Sequence, residues 1–188
     1  MWFRRDLRLD DNPALAAAVV ASENNVICLY ILEDQPDGRD LGGASKWWLD
    51  KSLRALAAEI EKHGGTLILR KGAAKSVLRD VIDSTGAKSV FWNRRYDLSG
   101  REIDTDLKSH FKDTNIDVES FNGSVLPEPW TQTTGSGGYY KVYSPYWRAV
   151  QANYQSPPAA PRPTVLKAWA LPSDDLDDWQ LHPTHPDW

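Results

Sequence analysis

The chain has 188 residues, 41% of them apolar and 26% charged, which suits one domain of ordinary size with a tail and excludes a second full domain. Its longest apolar stretches, such as residues 26–32, are far too short to cross a bilayer. The opening Met1-Trp2-Phe3-Arg4-Arg5-Asp6 has no apolar signal-peptide core, so a cytoplasmic protein without a membrane span is expected. The net charge of −4 hides an asymmetry: residues 173–188 hold five aspartates and no lysine or arginine. The first 172 residues therefore sit near +1, without the basic excess of a stand-alone nucleic-acid binder.

In chain order, short β-branched apolar runs alternate with helical patterns, the signature of βα units on a parallel sheet. Residues 1–3 form the stub of a first strand, and further strands are expected at 25–31, 66–69, 89–92 and 117–121, each buried on both faces. Asn12-Pro13 supplies an N-cap and a first-turn proline for a helix over 13–21, with Leu15, Val19 and Val20 as its apolar residues. A second helix over 45–63 spaces Leu49, Leu53, Leu56 and Ile60 along one face and is ended by Gly64-Gly65. Helices over 73–85 and 99–112 present Val77, Leu78, Val81 and Ile82, then Ile103, Leu107 and Phe111. Cys28, the lone cysteine, lies between Ile27 and Leu29 and reads as a small core residue.

Right-handed crossovers over five parallel strands give an α/β, Rossmann-like domain with sheet order 3-2-1-4-5 and helices on both faces. Ten of the twelve prolines follow Leu126, so residues 1–126 are expected to form this domain, and residues 127–188 an aromatic loop, a short helix and a Pro-rich linker. Residues 131–139 have no apolar periodicity, the densely aromatic 140–147 leads into a helix ending near Tyr154, and residues 156–163 read as an extended linker. The acidic stretch beyond has no core of its own.

Ligands in this architecture sit at the carboxyl ends of the strands, which singles out the loops 4–12, 33–44 and 93–100. The first packs three cations and three carboxylates between a strand and a helix N-terminus, and reads equally as an anion site or a self-neutralising ionic loop. Gly42-Gly43-Ala44-Ser45-Lys46 lacks the order of a phosphate-binding P-loop, and no Gly-x-Ser-x-Gly elbow or His-Glu-x-x-His pair is present. His182 and His185 flank prolines in an exposed tail rather than a metal site, while His63 and His110 lie at helix ends.

The run Trp2-Phe3-Arg4-Arg5-Asp6-Leu7-Arg8-Leu9-Asp10-Asp11-Asn12-Pro13-Ala14-Leu15 closely resembles the opening of the DNA photolyase and cryptochrome family. Segments at 44–49, at Trp92-Asn93-Arg94-Arg95-Tyr96-Asp97, at 140–147 and at 179–188 resemble the same family in the same order. The resemblance implies the family's N-terminal antenna domain. That domain holds a light-harvesting chromophore, methenyltetrahydrofolate, an 8-hydroxy-5-deazaflavin or FMN, for a deoxyribodipyrimidine photo-lyase that repairs DNA or for a cryptochrome. It also implies that FAD and UV-damaged DNA are bound by a helical domain beyond the Pro-Asp-Trp region, so this chain alone is not expected to be active, and that the first strand is shorter than the family's.

A site for a flat chromophore needs aromatic or apolar faces and a few fixed polar groups at the ligand's edge and acidic tail. Arg5 and Asp6 on the first loop, Lys46 at the start of the second helix, and Asn93, Tyr96 and Asp97 after strand four are the cofactor-binding candidates, none of them catalytic. Arg95 stands where deazaflavin-binding relatives carry a carboxylate, Ser99-Gly100 where some folate-binding relatives carry Asn-Glu, and Lys46 replaces a common arginine. The aromatic run at 140–148, with only Lys141 and Arg148 as cations, reads as a face for docking the helical domain rather than nucleic acid. The alternatives are a stand-alone nucleotide- or flavin-binding protein of the same fold, or a purely structural domain whose pocket is filled by its own side chains.

Overall fold

The computed structural model describes residues 1–33 and 41–182. The middle of the loop between the second strand and second helix lies outside them, as do His185 and the end of the tail. The elements are β1 (Trp2–Phe3), α1 (Pro13–Ser22), β2 (Cys28–Leu32), α2 (Gly43–Lys62), β3 (Leu67–Lys71), α3 (Ala74–Thr85), β4 (Ser89–Asn93), α4 (Leu98–Phe111), β5 (Asp117–Phe121) and α5 (Tyr143–Asn153), with a 3-10 turn at Asp177–Trp179. The five strands form one parallel sheet in the order β3-β2-β1-β4-β5. Among the described residues no helix is long and apolar enough to cross a membrane.

Strand alternation divides the core between two faces. Phe3, Tyr30 and Leu69 pack with Leu15 of α1 and Leu53, Leu56 and Ile60 of α2 on one side. Trp2, Leu29, Ile68 and Trp92 pack with Val77, Leu78 and Val81 of α3 and Leu107 and Phe111 of α4 on the other. The helices thus cover both faces, as the apolar periodicities require. Asn12 caps α1 by accepting from the Leu15 amide at 3.1 Å, with Pro13 in the first turn.

Two expectations are corrected. β5 is not buried on both faces: exposed Asp117 and Glu119 alternate with half-buried Val118 and Phe121, because the strand pairs only with β4 and forms the sheet's edge. Val20 is 80% exposed, since α1 buries the stripe Ala14, Leu15 and Ala18 and position 20 falls off that face. The acidic stretch also joins the core of the domain.

Leu166, Leu176 and Leu181 are buried in the α1–α2 face. The Leu166 amide donates to the His63 carbonyl at 2.7 Å, and the Asp174 amide donates to Leu69 of β3 at 2.8 Å. This return path covers the β3 edge, which would otherwise present unpaired backbone groups. It passes close over the end of α2. A Cβ on Gly64 would lie 2.9 Å from the Leu166 carbonyl, and Gly64 adopts φ +86°, so the Gly64-Gly65 pair both ends α2 and admits the tail.

Candidate functional site at the carboxyl ends of the strands

The loop leaving β1 turns back on itself around one buried carboxylate. Asp6 accepts from the Arg4 amide at 2.9 Å, from Asn93 Nδ2 at 2.6 Å and from Asn12 Nδ2 at 3.4 Å. Asn93 Nδ2 also donates to Asn12 Oδ1 at 2.8 Å, and its own Oδ1 accepts from the Ala14 amide at 3.3 Å. These three buried side chains tie the first loop, the N-terminus of α1 and the end of β4 into one rigid corner. Asp6 and Asn93, two of the six candidates, are therefore brought together, with their polar atoms engaged by protein partners.

Arg5, Tyr96 and Asp97 lie further out on the same rim. The Arg5 side chain is 72% exposed and places Nη1 3.9 Å from Asp97 Oδ1. Asp97 accepts from Arg95 Nε at 3.0 Å and from Ser99 Oγ at 3.0 Å, and Arg95 Nη2 forms a second contact with it. Burial pushes the Asp97 carboxyl up. The hydrogen bonds from Arg95 and Ser99, with the charges of Arg95 and Arg5, outweigh that and hold it well below the usual carboxylate range. A Cβ on Gly100 would lie 2.3 Å from the Arg95 Cβ, so the glycine at the start of α4 is what lets Arg95 fold back onto Asp97.

Tyr96 donates through its hydroxyl to Glu128 at 2.7 Å and to Asn122 at 3.1 Å. Burial and the Glu128 carboxylate raise that hydroxyl to about 12. Its ring lies 5.8 Å from Trp130, tilted by 34°, and Trp130 is 56% exposed, which makes an open aromatic shelf at the ends of β4 and β5. Arg94 reinforces the shelf by donating to Glu128 at 2.8 Å. Lys46 stands on the first turn of α2, half-buried beside the exposed Trp48. No hydrogen bond or ion pair joins it to the other five candidates among the described residues.

Four groups outside the six candidates belong to the same rim. Arg4 is buried, pairs through Nη1 with Asp104 of α4 at 2.5 Å, and lies 4.3 Å over the Trp2 ring; its Nε and Nη2 have no partner among the described residues. Glu33, at the end of β2, sits 4.0 Å from Arg95 Nη1, and burial raises its carboxyl against the pull of Arg4 and Arg95. Arg95 bridges Glu33 and Asp97, and Trp130 supplies the outer ring of the shelf. Glu33 was findable, because the residue following a parallel strand always faces this rim. Trp130 was not, since it arrives on a loop without periodicity.

The rim therefore sets the exposed Arg5 guanidinium and an aromatic surface over a rigid base, the kinds of group that a flat, acidic ligand would need. Among the described residues no group of histidine, cysteine and carboxylates could hold a metal ion.

A family model described as DNA photolyase matches residues 1–164. A deoxyribodipyrimidine photo-lyase of Agrobacterium fabrum is 47% identical over 191 positions, which cover 100% of this chain and 39% of the relative. Cryptochrome-1 of Arabidopsis thaliana is 38% identical over 149 positions, 78% of this chain and 22% of its own length. The crystal structure of a class III photolyase from Agrobacterium tumefaciens superposes with a TM-score of 0.91 at 47% identity, covering 100% of this chain and 39% of the other. The chain thus spans about two fifths of the length of these photolyases.

Proposed function

The chain belongs to the DNA photolyase family, and on that premise we propose that it is the domain that holds a light-harvesting chromophore for a flavin-dependent photolyase or cryptochrome. The observation that carries the reading is the rim where Arg5 and Asp97 flank the Tyr96–Trp130 shelf, above the buried Asp6–Asn12–Asn93 corner. An antenna passes its excitation through dipole coupling, so the chromophore must be held at a fixed distance and angle, and nothing need be cleaved or protonated. The exposed Arg5 guanidinium and the exposed Trp130 ring fit such a ligand.

In this reading Arg5, Lys46, Tyr96 and Asp97 meet the chromophore, while Asp6 and Asn93 fix the loop that presents them. The chromophore is methenyltetrahydrofolate, an 8-hydroxy-5-deazaflavin or FMN, each a conjugated ring system with an acidic group, on the tail or on the ring itself, suited to Arg5 and Lys46. When bound, it supplies light absorption; the residues supply position and exclusion of water.

FAD, damaged DNA and the repair reaction belong to the rest of the parent protein. The exposed Tyr139, Val142, Tyr143 and Trp147, with the Tyr143 and Trp147 rings stacked at 6.3 Å, are the face on which the parent's helical domain docks. Extraction of the purified chain with denaturant tests the assignment: a released folate, deazaflavin or FMN is expected. A released adenine nucleotide would instead assign a stand-alone nucleotide-binding protein.

A further inference from the structure

The loop after β5 carries a stiff segment, Leu126-Pro127-Glu128-Pro129-Trp130, in which Glu128 stands between two prolines. Each proline fixes its own φ and biases the residue before it toward an extended conformation, so little backbone freedom is left around Glu128. Pro129 then opens a turn. The Thr131 amide donates to the Glu128 carbonyl at 2.9 Å, and the Thr131 hydroxyl donates to the same carbonyl at 2.8 Å. Proline is favoured at the second position of such a turn, and Trp130 takes the third. The Trp130 ring is thus carried on a backbone that moves with Glu128.

A single oxygen ties this segment to the sheet. Glu128 Oε1 accepts from Arg94 Nε at 2.8 Å and from the Tyr96 hydroxyl at 2.7 Å. Arg94 is itself fixed to β5: its amide donates to the Phe121 carbonyl at 2.8 Å, and its Nη1 donates to Ser120 Oγ at 3.2 Å. Only 16% of the Glu128 side chain and 25% of the Arg94 side chain are exposed, so this ion pair escapes much of the screening that weakens surface pairs. The Tyr96 ring lies 5.8 Å from Trp130 at 34°. Glu128 therefore grips both halves of the shelf, Tyr96 through its hydroxyl and Trp130 through the turn.

We propose that Glu128 is the positioning residue of the aromatic shelf: its carboxylate sets the Trp130 ring against Tyr96, and with it the tilt of a chromophore laid on that ring. The ligand in this role comes from the antenna reading above, while the placement of the ring stands on the contacts alone. With Oε1 engaged by two protein donors, Glu128 acts through Tyr96 and Trp130. Dipole coupling depends on angle as well as distance, and a pinned indole holds an angle that a free one would not.

The test labels the full chain, with its nine tryptophans, with 5-fluorotryptophan and identifies the Trp130 fluorine resonance by its loss in Trp130→Phe. Glu128→Ala is expected to move that resonance most of the way to the position of free 5-fluorotryptophan and to leave the others in place. Glu128→Gln keeps an acceptor oxygen for Arg94 and Tyr96 and is expected to leave all of them in place. In titrations with the chromophore that binds, Glu128→Ala and Trp130→Ala should each weaken binding about tenfold. The double variant should also lose about tenfold rather than about a hundredfold, since one residue acts through the other. A Trp130 resonance that stays put in Glu128→Ala, or a shift of every resonance together, would overturn the proposal. Losses that multiply in the double variant would overturn it too and leave the antenna reading standing. No binding by the unsubstituted chain, with the Trp130 resonance moved as expected, would overturn the antenna reading and support the placement of the ring.

Discussion

Asp6, Asn12 and Asn93 show how a residue's place can be legible while its partners are not. The sequence puts Asp6 and Asn93 at the carboxyl ends of the strands, but only the fold shows their polar atoms directed at one another and at Asn12. Asn12→Ala removes both the α1 cap and the middle of that corner, so a loss of about 2 kcal/mol is expected in denaturant unfolding. Asp104→Ala strands the buried Arg4 guanidinium and should cost about 3–5 kcal/mol by the same measurement. The Met1 ammonium gives a pH signature. Burial lowers it from 8.0 to about 6, while the neighbouring Cys28 thiol, pushed up to about 11, stays uncharged. Between pH 6 and pH 8 the unfolded chain holds more of that proton than the folded one. Stability should therefore rise by about 2–3 kcal/mol across this window, and N-terminal acetylation should flatten the rise in pH-dependent unfolding curves.

At the scale of elements, periodicity was a sound guide wherever a helix or strand meets the core on one defined face. Leu53, Leu56 and Ile60 of α2 and Val77, Leu78 and Val81 of α3 are buried as their spacing requires. It failed where position in the sheet decides burial, as in β5, whose place at the edge follows from strand order rather than composition. It failed again in the tail, where Leu166, Leu176 and Leu181 are too sparse to form a pattern but reach apolar ground on α2. The tail is expected to act as a clamp on the β3 edge. Leu166→Ala should cost about 2–5 kcal/mol and expose the β3 edge, read as faster amide exchange at Leu69.

At the scale of the whole molecule, the carboxyl edge carries the ionic and aromatic groups and the amino edge carries an apolar cavity, so the two are separated by the length of the strands. The position of the candidate rim was legible because parallel α/β sheets place ligands at one end. Its full membership was not, because Arg4, Glu33 and Trp130 come together only through the crossing of β1, β2 and the loop after β5. The central claim is that this rim holds an antenna chromophore. The most direct test is a fluorescence-monitored titration of the purified chain with methenyltetrahydrofolate, an 8-hydroxy-5-deazaflavin and FMN, repeated with Arg5→Ala and Lys46→Ala. One chromophore should bind saturably, with affinity reduced about tenfold or more in each variant, the loss of one charge-assisted contact. Saturable binding unchanged in both variants, or no binding of any of the three, would contradict the account.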